Sequence, residues 1–215
     1  MLIGLQRKFV FIANLKSASS AVEKILRPLS EIALVESRFG KHLPFHRIEE
    51  RFAWVFKLIP PNEFMIFGII RDPIEYTISL FNSHTDIKFQ NDPRLYTGEM
   101  DFDMFLGKWC TVNADQIRPQ FTRFIGKDGT IAANLIISFP KISEGLDVVA
   151  SRIDAPDLRS LPIVNASNAR FSPDDLSDNQ RTWICEHFER DRRFIAQFCD
   201  RVLTPEEQSS CTWTQ

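Results

Sequence analysis

The sequence predicts an α/β fold with a mainly parallel central sheet flanked by helices. Residues 8–13 and 64–70 are continuous apolar runs rich in β-branched and aromatic side chains, which is typical of strands covered on both faces. Each run leads through a loop into a segment with helical spacing, and alternating strands and helices favour parallel pairing. A length of 215 residues suits one large core, so we expect a single domain over residues 1–215.

The elements follow in chain order from the period of the apolar residues. Strands are expected where an apolar run is continuous, and helices where apolar residues recur every three or four positions. The predicted strands are residues 8–13, 31–36, 64–70 and 131–137. The predicted helices are residues 21–27, 47–56, 74–82, 102–109, 143–153 and 173–198.

Proline and turn residues mark the boundaries of these elements. The first helix ends near Pro28, because the residue before a proline is biased away from the helical conformation. Pro73 occupies a first helical position, where its fixed φ and missing N–H are tolerated. The polar segment 83–101, with its turn signal at Gly98, is a surface excursion able to cover a substrate cleft.

Composition excludes several classes of protein. There are 26 Lys plus Arg against 28 Asp plus Glu, a formal charge of −2 that gives no basis for general nucleic-acid binding. Only 8 glycines argue against a Gly-rich cofactor loop, and the 4 cysteines contain no CxxC pair and match no zinc signature. No signal-peptide core or membrane-length apolar run is present, so we expect a soluble cytoplasmic protein without a membrane segment.

A polar loop of small residues leaves the first predicted strand and opens the first helix. Free backbone N–H groups and the positive end of a helix converge on such a loop and favour anions. The loop contains Lys16, Ser17, Ala18, Ser19 and Ser20. It has no glycine, so the Walker A motif of nucleotide triphosphatases is absent. The alternative interpretation is an ordinary turn with Ser19 or Ser20 as the N-cap.

A second candidate anion site follows the strand at 64–70. Arg71 closes this strand and Ser79 follows eight residues later in the next helix. Ligands of α/β proteins bind beyond the carboxyl ends of the strands, so two such sites suggest a ligand with two separated phosphates. The alternative is that Arg71 is a surface ion-pair partner of Asp72 or Glu75.

Taken in order, three segments resemble sulfotransferases that use 3′-phosphoadenosine 5′-phosphosulfate (PAPS). They are residues 11–20, residues 41–44 (Lys-His-Leu-Pro), and residues 67–73 together with Ser79. The likeness is closest to the carbohydrate and membrane-type branch and its bacterial relatives. It continues more weakly through residues 118–120, 128–129, 134–137 and 161–167, and so covers most of the chain.

The resemblance implies a P-loop-like sulfotransferase architecture, a PAPS cofactor, no metal ion and a hydroxyl-bearing acceptor such as a carbohydrate. Lys16 and residues 17–20 would cradle the 5′-phosphosulfate, and Arg71 and Ser79 would hold the 3′-phosphate. Lys16 would also be catalytic, and His42 would be the general base on the acceptor hydroxyl.

The chain departs from the family at several positions. Ser138-Phe139-Pro140 replaces an aromatic and acidic pair, Leu15 replaces a proline, and His46 is a rival base. Asn165 and Ser167 belong to a late loop that returns toward the nucleotide in relatives, although a turn-stabilising role fits them equally. The other function classes to weigh are a P-loop-like kinase and a nucleotide-binding relative that has lost the reaction.

Overall fold

A computed structural model describes residues 1–35, 40–92, 94–160, 170–210 and 212–213. The strands are β1 (Leu2–Gly4), β2 (Phe9–Ile12), β3 (Ile32–Ala33), β4 (Met65–Ile70) and β5 (Leu135–Ser138). The helices are α1 (Ser19–Leu26), α2 (Phe45–Arg51), α3 (Ala53–Leu58), α4 (Pro73–His84), α5 (Phe102–Met104), α6 (Cys110–Val112), α7 (Ile142–Ile153), α8 (Asp178–His187), α9 (Glu189–Phe198) and α10 (Pro205–Ser209). A π-helical turn, Phe105–Trp109, joins α5 to α6.

Within the described residues the strands form one mixed sheet in the order β3-β1-β2-β4-β5. The strands β2, β4 and β5 are parallel to one another, whereas β1 is antiparallel to both β2 and β3. The expectation of a mainly parallel sheet therefore holds for the pairings among β2, β4 and β5. It is wrong for the two pairings of β1, which runs against the other four strands. The cause is local, because only residues 5–8 join β1 to β2, and so short a connection forces antiparallel pairing.

Both faces of this sheet are covered, which explains the continuous apolar runs of β2 and β4. Successive side chains of a strand point to opposite faces. One face of the sheet packs against α2, α3, the 3₁₀ turn Gln120–Phe124 and α9. The strands contribute Val10, Ile12, Ile66 and Ile136 to this layer, and the helices and the turn contribute Phe45, Ile48, Val55, Phe121, Phe124, Phe194 and Phe198. The other face packs with α1 and α7: Phe9, Phe11, Phe67, Ile69, Leu135, Val22, Leu26, Leu146, Val149 and Ile153.

The chain divides into two compact units. The first unit comprises Met1–Ile70, Gln120–Val164 and Phe194–Gln215, and it contains the whole sheet. The second comprises Arg71–Pro119 and Asn165–Arg193. In the second unit, aromatic side chains of α4, α5 and the π-helical turn pack together, with Phe102 and Phe171 stacked at 4.4 Å between ring centroids. The single domain over residues 1–215 stays a prediction.

Two predicted helices are interrupted. The helix expected over residues 47–56 breaks at Phe52, whose backbone (φ −116°, ψ 30°) separates α2 from α3. The helix expected over residues 173–198 is divided into a short 3₁₀ turn, α8 and α9. Ser177 begins α8 with a reciprocal capping box to Gln180, and Phe188 ends it with φ −108°. Local capping chemistry therefore overrode the continuous helical pattern.

The predicted strands differ from the observed ones mainly in length. Strand β5 begins at Leu135 instead of residue 131, and β3 is limited to Ile32–Ala33, with Glu36 of the predicted strand outside the described residues. Strand β1 was not predicted, because three apolar residues give no periodicity to detect. No helix in the described part of the chain is long and apolar enough to cross a bilayer.

Candidate functional site

The loop between β2 and α1 is closed on itself by side chains. Asn14 is fully buried, and its side-chain oxygen accepts a hydrogen bond from the Leu15 N–H at 2.9 Å. The buried Ser17 hydroxyl donates to the Asn14 carbonyl at 2.9 Å. Lys16 and Ala18 have positive φ values of 54° and 55°. Left-handed residues in such loops build the concave arrays of N–H groups that bind anions.

The N-terminus of α1 opens directly from this loop. Its N-cap residue is Ala18, and no side chain caps the helix; neither Ser19 nor Ser20 takes that role. The first N–H groups of a helix have no partner within the helix itself. The N-cap interpretation of these two serines is therefore wrong, and the helix presents its N–H groups as an anion-binding end would.

The segment Lys41-His42 lies against this loop. The Nδ1 atom of His42 is 3.0 Å from the carbonyl oxygen of Ala13. The ammonium of Lys41 donates to the Ser20 hydroxyl oxygen at 2.9 Å and to the Glu23 carboxylate at 3.1 Å. Lys41 and His42, from the segment 41–44, therefore contact Ser20 and Ala13 of the segment 11–20.

His42 is held in one tautomer. A carbonyl oxygen only accepts hydrogen bonds, so Nδ1 carries the proton and Nε2 keeps its lone pair. Burial lowers the pKa of His42 to about 3, the hydrogen bond to Ala13 opposes this shift, and the nearby charges of Arg123 and Lys41 add to it. The imidazole is therefore neutral at physiological pH, which is the protonation state that a general base requires.

Arg123 completes the cationic surroundings of His42. It lies in the 3₁₀ turn Gln120–Phe124, and its guanidinium donates to the His42 carbonyl oxygen. Neither Arg123 nor Glu23 was among the sequence candidates. No local pattern marks them, because Arg123 reaches His42 across 81 residues and Glu23 has the spacing of an ordinary helix residue.

Arg71 and Ser79 belong to the second unit. Arg71 directly follows the last residue of β4, and its Nε donates to the Glu75 carboxylate at 3.1 Å, which is the ion pair foreseen as the alternative. The Asp72 carboxylate caps α4 by accepting from the Ile74 N–H at 2.9 Å. Ser79 is half-buried on this helix. The assignment of Arg71 and Ser79 to a 3′-phosphate stays a prediction.

The rival base His46 lines an open cavity of about 550 Å³ whose other walls come from outside the loop. These walls are Glu50, Gly126, Lys127, Asp128, Gly129, Thr212 and Trp213. Burial lowers the pKa of His46, and the charge of Arg47 lowers it further. The geometry therefore favours His42 over His46 as the histidine associated with the loop.

Ser138, at the end of β5, is one of the positions where the chain departs from the sulfotransferase pattern. The Ser138 N–H and hydroxyl both donate to the Asp200 carboxylate, at 2.8 and 2.7 Å. Ser138 is thereby tied to the segment that follows α9.

Asn165 and Ser167 lie outside the described residues. Among the residues described, no three His, Cys, Asp or Glu side chains cluster as metal ligands would.

Comparison with protein-family models, with curated proteins and with solved structures found no match for this chain. The class that the fold and site define is an α/β protein in which a loop with one lysine and three serines follows a sheet strand and leads into a helix without a side-chain cap. The geometry of that loop and of the Lys41-His42 segment beside it is therefore the basis for a functional assignment.

Proposed function

We propose that this protein is a sulfotransferase with a P-loop-like architecture, which moves the sulfuryl group of PAPS to the hydroxyl of an acceptor, a carbohydrate or another small or lipid-linked molecule. The observation that carries the proposal is the position of Lys41 and His42 against the loop of residues 13–20. A basic side chain and a neutral imidazole beside an anion-binding loop are the groups that such a transfer uses.

The loop supports binding of the 5′-phosphosulfate. The uncapped N-terminus of α1 and the hydroxyls of its first two residues, Ser19 and Ser20, provide hydrogen-bond donors at the end of this loop. Lys16 would add positive charge there. Arg71 and Ser79 would hold the 3′-phosphate.

The chemistry assigns a separate task to each residue. PAPS supplies the sulfuryl group, whose bond to the 5′-phosphate oxygen breaks as a bond to the acceptor oxygen forms. Lys16 would stabilise the negative charge that develops on the departing phosphate oxygen. A sulfuryl group carries less charge than a transferring phosphoryl group, so this proposal needs no metal clamp.

His42 would take the acceptor proton at Nε2, since Nδ1 is committed to the Ala13 carbonyl. A positioned general base contributes roughly 10²- to 10⁴-fold to such a reaction. Burial is the main cause of the pKa of about 3, which makes the imidazole a weak base, and the charges of Arg123 and Lys41 lower this pKa further. A bound anion would offset the contribution of these two charges, so the base would be stronger with the donor present than without it.

Calorimetry with 3′-phosphoadenosine 5′-phosphate (PAP), the desulfated product, tests the nucleotide assignment. We expect the protein to bind PAP, and Arg71→Ala to weaken that binding while Arg94→Ala, the same change at an exposed arginine of the same unit, leaves it unchanged. Absence of PAP binding, or binding that Arg71→Ala does not alter, would contradict the assignment.

Turnover separates an enzyme from a nucleotide-binding relative. With PAPS and a panel of hydroxyl acceptors, Lys16→Ala should lower turnover far more than nucleotide affinity. The matched control is Lys24→Ala, which removes the same charge from an exposed position on α1. PAP binding without transfer to any acceptor would identify an inactive relative, and Mg²⁺-dependent binding of ATP in preference to PAP would identify a kinase.

A further inference from the structure

Glu23 is a buried carboxylate one helical turn beyond the loop. It is 3 % exposed, on the side of α1 that faces Lys41. Its two oxygens lie 3.1 Å from the Lys41 ammonium and 3.4 Å from the amino nitrogen of Met1. Burying a carboxylate is costly unless it is paired. A buried negative charge beside a loop that would bind anions is therefore unexpected, and its pairing partners must be considered.

Lys41 links this carboxylate to the loop. Its ammonium donates at the same time to Glu23 and to the Ser20 hydroxyl oxygen, at 3.1 and 2.9 Å. An ammonium only donates, so the Ser20 oxygen acts as an acceptor in this contact. Among the hydrogen bonds of the described residues, the Ser20 hydroxyl donates to no group. Its proton therefore remains available to an outside acceptor, either water or a bound anion.

The main chain of Lys41 is fixed as well. The amino nitrogen of Met1 donates to the Lys41 carbonyl oxygen at 2.9 Å. The Lys41 ammonium contacts Glu23 while its main chain is held by this second bond, so the Glu23–Lys41 pair keeps the ammonium in one place.

We infer that Glu23 is a positioning residue, which holds the Lys41 ammonium against Ser20 and so presents the Ser20 hydroxyl as a donor to a phosphate or sulfate group bound at the loop. This inference rests on the proposed function and adds Glu23 to its machinery. By charge alone, a carboxylate near the loop would weaken anion binding. Positioning through Lys41 predicts the opposite effect, so the two explanations can be distinguished by the sign of one measurement.

The test is calorimetry with two nucleotides, PAP and adenosine 3′-monophosphate, which lacks the 5′-phosphate. We expect Glu23→Gln to lower PAP affinity about fivefold and Lys41→Met about twentyfold, as for the loss of a charge-assisted hydrogen bond. The double variant should be no weaker than Lys41→Met, because Glu23 acts through Lys41. Affinity for adenosine 3′-monophosphate should change less than about twofold in every variant.

Matched controls use an exposed ion pair of the same unit. Lys8 and Glu63 are 2.5 Å apart, and Lys8→Met and Glu63→Gln should leave both affinities unchanged. Lys41→Arg keeps a charged donor beside Glu23 and should retain PAP affinity within about threefold, which provides a reading if Lys41→Met fails to fold. Ser20→Ala should reproduce the loss that is specific to PAP.

Three outcomes would overturn the inference while leaving the proposed function in place. The first is that Glu23→Gln binds PAP as tightly as the unaltered protein, or more tightly. The second is that the effects of Glu23→Gln and Lys41→Met add, and the third is that the variants lose affinity equally for the two nucleotides. Failure of the unaltered protein to bind either nucleotide would instead overturn the proposed function, and this inference with it.

Discussion

Replacing His42 by asparagine isolates the energetic consequence of its burial. An asparagine side-chain amide can donate to the Ala13 carbonyl from nearly the position of Nδ1, so the contact of 3.0 Å has a substitute. Asparagine does not titrate. The variant therefore removes a proton-binding group while it keeps the local hydrogen bond.

The magnitude follows from the pKa of His42. It is about 3 in the folded protein and 6.5 in an unstructured chain, so the unfolded state binds the proton first as the pH falls. Stability due to this group is complete above pH 6.5 and is lost as the pH falls toward 3. At pH 5 the loss in the free energy of unfolding is ~2 kcal/mol, because each pH unit below 6.5 contributes ~1.4 kcal/mol. Any pKa below about 4 in the folded protein gives the same loss.

Urea unfolding at pH 7.5 and at pH 5.0 measures this effect. Between pH 7.5 and pH 5.0, the free energy of unfolding of the unaltered protein should fall by ~2 kcal/mol more than that of His42→Asn. The other titrating groups are the same in both proteins, so their contributions cancel. His187→Asn, at the exposed last residue of α8, serves as the control at a histidine outside the loop. Equal pH dependence of His42→Asn and the unaltered protein would refute the buried, neutral imidazole.

Three further substitutions test the packing around the site, each by its urea-unfolding free energy. Gly68→Ala would place a methyl group 2.6 Å from a ring carbon of Phe124 and 2.7 Å from a main-chain oxygen of β2, so it should lose ~1–3 kcal/mol; unchanged stability would contradict this packing. Ala18→Gly should gain up to ~1 kcal/mol, because it relieves a left-handed conformation, and a clear loss would show that the loop adopts another backbone. Ser138→Ala removes the hydroxyl bond to Asp200 and should lose ~1 kcal/mol, whereas no loss would mean that the bond does not form.

The sequence determined the elements whose causes are local. The apolar runs that became β2 and β4 were predicted within one residue of their observed ends, because a strand buried on both faces leaves no polar position in its pattern. The start of α4 at Pro73 followed from the backbone restrictions of proline. The loop containing Lys16 was recognised for the same reason, since its small polar residues interrupt the pattern between a strand and a helix.

Only the tertiary structure decided which distant residues meet. The antiparallel pairing of β1 depends on the four-residue connection and on a partner strand that three apolar residues cannot specify by themselves. His42 reaches the Ala13 carbonyl, and the Arg123 guanidinium reaches His42, because the packing of separate elements on the sheet brings their main chains together. A sequence pattern records the environment of each residue, whereas the neutral state of His42 and the Glu23–Lys41–Ser20 contact arise from burial and charge contributed by residues far apart in the chain.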